Sequence, residues 1–145
     1  MAEFRDLEVY QLARSFSRDV YFATLQFPAH LKRLAAQLVD AAESIGSNIA
    51  EGRGRKDCDL GNAELIRYLH FSFASACEAE HRLDGAYDKE LLSLDQHRRL
   101  NGQVLTIKCK LTRFIQALKR RDRGPRHRKG KFNSAPTHQP DNPST

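Results

Sequence analysis

Tryptophan is absent from this 145-residue chain, and methionine occurs once, at position 1. Cysteine is scarce as well. Cys58, Cys77 and Cys109 are odd in number and far apart, which leaves neither a disulfide framework nor a paired Cys-x-x-Cys zinc site, so they are read as reduced thiols. Proline is nearly confined to the last stretch, at Pro125, Pro136, Pro140 and Pro143, with Pro28 the exception. Charged residues interrupt every hydrophobic stretch before the roughly 18 apolar residues that a membrane span needs, which excludes a helical membrane protein. The start, Met1-Ala2-Glu3-Phe4-Arg5-Asp6, has no basic region followed by an apolar block and a cleavage site, so the expected location is the cytoplasm. A Gly-x-Ser-x-Gly elbow, a papain-like cysteine context and a Gly-Lys-Ser/Thr phosphate loop are all missing, and no enzyme is expected.

What is present is enough for one globular domain, with 40% hydrophobic and 29% charged residues. Apolar positions recur at helical spacing in four segments. The first runs from Asp6 to Phe27 through Val9, Ala13, Phe16, Val20, Ala23 and Phe27, with Asp6 as the expected cap and Pro28 as the stop. The second, about 31 to 51, uses Leu31, Leu34, Leu38, Ala41, Ile45 and Ile49, with Gly52 and Gly54 as stop signals. In the third, about 62 to 86, the seam is Ile66, Leu69, Phe73, Ala76, Glu80, Leu83 and Tyr87, with one carboxylate among the hydrophobes. The fourth, about 93 to 122, opens on the capping-box pattern Ser93-x-x-Gln96 and carries Leu100, Val104, Ile107, Leu111, Phe114 and Leu118. Four helices of this length with short links predict an all-α, antiparallel up-down-up-down four-helix bundle over residues 1–122. Leu105, Ile115, Tyr68 and Phe71 widen the stripes, either for a subunit interface or for a broader core.

Charge is unevenly distributed. Through Leu118 there are 16 basic and 16 acidic residues, and after it 8 basic against 2 acidic. The polar, proline-bearing stretch 123–145 is expected to be disordered. Its cations Arg123, Arg126, Arg128, Lys129 and Lys131, with Lys119, Arg120 and Arg121 before them, suit nucleic-acid phosphates or act only as a solubilising tail. Arg53, Arg55 and Lys56 stand beside two glycines at the expected end of the second helix, where they either meet phosphate or complement the helix dipole. Asn48 and Glu51 are expected to reach Glu80 or Arg82 across the bundle in a polar network that fixes register. Glu78-x-x-His81 is a single ferritin-type spacing without its second copy, and His70, Cys77 and His81 share a helix face without a fourth ligand. No metal or other cofactor is therefore expected.

The stretches Phe4-Arg5-Asp6-Leu7-x-Val9-Tyr10-Gln11, Ser44-Ile45-x-Ser47-Asn48-Ile49-Ala50-Glu51-Gly52-x-Gly54-Arg55 and Ser75-x-x-Glu78-x-Glu80-x-x-Leu83 resemble the bacterial four-helix-bundle proteins encoded in intervening sequences of 23S ribosomal RNA genes. Related bundles serve as accessory subunits of diversity-generating retroelements. That resemblance implies a non-catalytic homopentamer that binds a reverse transcriptase and RNA or DNA, with Arg53, Arg55, Lys56 and the basic stretch from Lys119 as phosphate contacts. A protein-interaction bundle of the intervening-sequence type with no nucleic-acid role is the alternative.

Overall fold

The computed structural model describes residues 3–124, except the side chain of Asp59. Within them the chain forms four long helices: α1 (Glu8–Thr24), α2 (Lys32–Arg55), α3 (Gly61–Asp88) and α4 (Leu94–Asp122). Helix α1 packs on α2 and α4, α2 on α3 and α3 on α4, which closes the square of an antiparallel up-down-up-down bundle.

The stripe of α1 is buried as its spacing dictates, at Val9, Ala13, Phe16, Val20 and Ala23. Its cap differs from expectation. Asp6 closes a separate 3₁₀ turn, Phe4–Asp6, by accepting from the Glu3 backbone N–H at 3.1 Å, and Leu7 takes the position before the helix. Helix α4 begins as expected: Ser93 Oγ accepts from Gln96 N at 3.1 Å and Gln96 Oε1 from Ser93 N at 2.9 Å. Its buried face runs through Leu100, Val104, Ile107, Leu111, Ile115 and Leu118, so Ile115 belongs to the core while Phe114 sits at the edge.

Two segments depart from the sequence reading. Helix α2 does not stop at Gly52. It continues to Arg55, passes into a π-helical turn at Lys56–Leu60, and reaches α3 through Gly61, whose φ of 71° resets the chain direction. Gly52 is buried because α3 crosses it closely: a Cβ there would lie 2.6 Å from Tyr68 Cβ. The seam of α3 keeps Leu69, Ala76 and Leu83 as expected but moves back by one residue at its other positions. Leu65, Leu69, Ser72, Ala76, Ala79, Leu83 and Ala86 face the core, while Ile66, Phe73 and Glu80 lie at its margin and Tyr87 is exposed. Small side chains at 72, 76, 79 and 86 let α3 sit close to its neighbours, which a search for large hydrophobes overlooks.

Candidate nucleic-acid interface

Because the helices alternate in direction, α2 and α4 end at the same end of the bundle. Asn62, in the first turn of α3, donates to Asp122 Oδ1 at 2.7 Å, tying the start of α3 to the end of α4. Both sets of basic residues singled out in the sequence, 53–56 and 119–123, therefore lie at this end, but in different states.

The cations of α2 are largely engaged within the chain. Arg53 is 9% exposed and its guanidinium lies 3.5 Å from Asp57. Arg55 donates from Nε and Nη2 to Glu51 Oε1 at 3.2 and 3.0 Å, while its guanidinium carbon sits 4.9 Å from the Tyr68 ring centroid. Tyr68 Oη donates to the same Glu51 oxygen at 3.0 Å. These contacts act on each other's protonation. Hydrogen bonds from Arg55 first, and then Tyr68, hold the Glu51 carboxyl below its usual range, and the Glu51 carboxylate raises both Arg55 and Tyr68. Glu51, Arg55 and Tyr68 form a clamp between α2 and α3. Lys56 is half-buried in the π-helical turn that follows.

The single network expected of Asn48, Glu51, Glu80 and Arg82 does not form. Asn48 donates back to the Ser44 carbonyl at 2.8 Å, and Glu51 meets Tyr68 instead. Arg82 bonds Glu78 at 3.0 Å and crosses to Gln37 Oε1 at 3.0 Å. Glu80 accepts from Lys108 Nζ of α4 at 2.6 Å, a contact that raises the Lys108 ammonium above its usual value. The reason is register. With Glu51 opposite Tyr68, Ser44 opposite Ser75 and Gln37 opposite Arg82, Asn48 lies about nine residues, or roughly 13 Å, from the level of Glu80. The polar ladder of the α2–α3 seam is thus Ser72 Oγ to the Ile45 carbonyl at 2.8 Å, Ser75 to Ser44 at 3.1 Å, Tyr68 to Glu51 and Arg82 to Gln37.

Helix α4 carries the largest group of exposed cations without a carboxylate partner, with Arg14, Lys32, Arg33 and Lys89 elsewhere among the described residues. Between Gln96 and Arg121 it contains no Asp or Glu, and over Leu94–Asp122 it has 8 basic residues against 2 acidic, while residues 1–93 have 11 against 15. Three of its cations face carboxylates across the seams: Lys108 with Glu80, Lys110 with Glu8 at 3.1 Å and Arg99 with Asp19 at 3.9 Å. Arg98, Arg113, Lys119, Arg120, Arg121 and, just past the helix, Arg123 are exposed, with no carboxylate within 4.0 Å among the described residues. Gln116, Lys119, Arg120 and Arg123 line one shallow depression. Sequence reasoning missed Arg98 and Arg113 because dividing the chain at Leu118 averaged α4 with the acidic helices before it. The acid-free run from 96 to 121 was the available signal. Arg126, Arg128, Lys129 and Lys131 lie outside the described residues.

Among the described residues, no group of three or more His, Cys, Asp or Glu side chains is placed to hold a metal ion, and no helix is long and apolar enough to cross a membrane.

No curated protein matches the chain. Among solved structures, a protein of unknown function from the S23 ribosomal protein family of Bacteroides thetaiotaomicron shares the fold, with a TM-score of 0.63 and 20% sequence identity over 74% of this chain and 98% of that one. A family model described as 23S rRNA-intervening sequence protein matches residues 5–113, three-quarters of the chain and three of its helices with most of the fourth, and the chain belongs to that family.

Proposed function

We propose that this protein is a non-catalytic, homo-oligomeric scaffold that binds nucleic acid through phosphate contacts in the cytoplasm. The observation that carries this reading is the set of six exposed cations on and just past α4 that no carboxylate of the described residues approaches. Such cations release condensed counterions when phosphates replace them, which yields affinity without base recognition. Repeating the set around an assembly multiplies weak contacts through effective concentration. The sequence resemblance to retroelement accessory bundles makes a reverse transcriptase the first protein partner to test, and five copies the first assembly.

A second reading, a protein-interaction bundle without a nucleic-acid role, draws on a different observation. Tyr21 and Phe22 of α1 and Leu25 just past its end are 50%, 57% and 61% exposed, an apolar face suited to a protein partner.

The discriminating experiment is light-scattering mass on the full chain combined with titration of labelled structured RNA and duplex DNA at two salt concentrations. A species of about 80 kDa, five copies of a 16.5 kDa chain, with binding that weakens steeply as salt rises, supports the scaffold. A 16.5 kDa species indifferent to both ligands removes it and leaves the interaction bundle.

A further inference from the structure

We infer that the outer face of α4 is a docking surface for double-stranded RNA, held by its phosphates and ribose hydroxyls. This rests on the nucleic-acid reading above and specifies its ligand and its surface. The exposed face of the helix, opposite the buried row Leu100, Val104, Ile107, Leu111, Ile115 and Leu118, presents Arg98, Thr112, Arg113, Gln116, Lys119, Arg120 and, past its end, Arg123. From Arg98 to Arg123 the row is about 37 Å long, and Arg113 to Arg123, its dense part, about 15 Å. A duplex places roughly one negative charge every 1.7 Å along its axis, so it offers several phosphates over that dense part. Thr112 and Gln116 stand among these cations, the stretch 96–121 holds no carboxylate, and the one that follows it, Asp122, accepts a hydrogen bond from Asn62.

Two features favour a duplex over a single strand, and RNA over DNA. Single-strand binders stack bases on exposed aromatic rings. The outward face of α4 carries no exposed aromatic ring: its one Phe, Phe114, is half-buried against the core, the exposed ring of Phe71 on α3 packs on Tyr68, which bonds Glu51 of α2, and Tyr21 and Phe22 stand away from the dense part 113–123, since Asp19 of α1 is level with Arg99 and Gln103. A helix walled by α1 and α3 also presents only its outer part. It is poorly shaped to enter the deep major groove of B-form DNA, but it can lie across the wide, shallow minor groove of an A-form helix, where 2′-hydroxyls meet groups such as Thr112 and Gln116. The cations at 119–123 lie beyond residues 5–113, so this part of the surface is not drawn from the family match.

The test uses the full chain and a 20-base-pair RNA duplex, with its single strand, the DNA duplex of the same sequence and poly-glutamate as comparison probes. The variants are R113E/R120E/R123E and, as control, R126Q/R128Q/K129Q/K131Q. The substituted face positions are exposed, and unchanged circular dichroism and melting temperature verify that each variant folds. The expected result is tightest binding to duplex RNA. The face variant should bind at least tenfold more weakly, and its salt dependence should become shallower by two to three units of slope, roughly 0.9 for each phosphate it no longer neutralises. The control should keep the preference for duplex RNA over duplex DNA. Failure of the unaltered chain to retain any nucleic acid at low salt overturns the underlying function. Retention that R113E/R120E/R123E leaves unchanged overturns only this surface. Equal or tighter binding of the single strand, or of duplex DNA, overturns the assignment to double-stranded RNA, and equal competition by poly-glutamate assigns the face to an acidic protein instead.

Discussion

Gly46 and Gly52 stand six residues apart in one helix and have different reasons to lack a side chain. A Cβ at Gly46 would meet Tyr10 and Ala13 at 3.7 to 4.0 Å, ordinary contact, whereas one at Gly52 would strike Tyr68 Cβ at 2.6 Å, an atom fixed to the α3 backbone. Gly46→Ala should therefore be neutral or stabilising by up to about 1 kcal/mol, the helix-propensity difference. Gly52→Ala should cost about 1–3 kcal/mol by forcing α2 and α3 apart, despite the same propensity gain, and urea titration of both variants checks the contrast. Glu80 and Lys108, about a quarter exposed, answer why a carboxylate interrupts the α3 pattern: it pairs across the α3–α4 seam. Glu80→Gln should destabilise by about 1–3 kcal/mol, since the ammonium keeps its partly buried place without its ionic partner. The titrations have definite signs. Lys108 and Tyr68 are raised in the fold, so the folded state holds protons that the unfolded state releases, and their contribution is lost as pH climbs through the folded values, above about 10. Glu51 is lowered, so its contribution is present above its unfolded value of 4.5 and lost as pH falls through the folded one. Unfolding midpoints measured across pH should show both limbs, with Tyr68→Phe flattening the alkaline limb and Glu51→Gln the acidic one.

At the scale of elements, the four helices and their antiparallel order were legible in the 3-4 spacing of apolar residues, most clearly in α4, where the Ser93–Gln96 box marks the start and the stripe is nearly continuous. The α2–α3 connection was not. Gly-Arg-Gly-Arg reads as a stop signal by composition, yet ion pairs Arg55–Glu51 and Arg53–Asp57 at helical spacing carry the helix through it, and the turn is made six residues later at Gly61. Two further glycines test this. Gly54 is helical with open space where a Cβ would stand, so Gly54→Ala should stabilise by about 0.5–1 kcal/mol, whereas Gly61 at φ 71° should lose stability on the same change. If Gly54 were a C-terminal cap, its substitution would be harmful too; comparing the two melting temperatures decides. The failed polar network has a similar origin. Helix existence follows from pattern, but which residues face each other depends on register, and register here follows from the short π-helical link that places Glu51 at the level of Tyr68. The candidate site was legible at 119–123, where cations cluster in sequence. Arg98 and Arg113 join it only once α4 is seen to turn one face outward.

For the whole molecule, the proposed assembly needs a surface on which to form. Of the four residues whose position suggested an interface, Ile115 lies in the core and Tyr68 is half-buried in the clamp with Glu51 and Arg55, which leaves Phe71 and Leu105, 42% and 46% exposed, as scattered surface hydrophobes. The larger apolar patch lies elsewhere. Tyr21 and Phe22 stack edge-on at 5.5 Å, and Leu25 follows one turn later on the outer side of α1, away from its buried row Val9, Ala13, Phe16, Val20 and Ala23. These residues add nothing to the core of a single copy, so removing them should leave its stability within about 0.5 kcal/mol, as for other exposed positions. The patch also stands at the opposite end of the bundle from the cations at 119–123, so copies joined through it would keep their basic ends uncovered. The double substitution Phe22→Ser with Leu25→Ser should therefore lower the light-scattering mass of the full chain from that of an assembly toward 16.5 kDa while its melting temperature changes little. Affinity for duplex should fall with it, since each copy then binds alone. An assembly that survives both serines would place its interface on another face, and Phe71 with Leu105 would be the next pair to change.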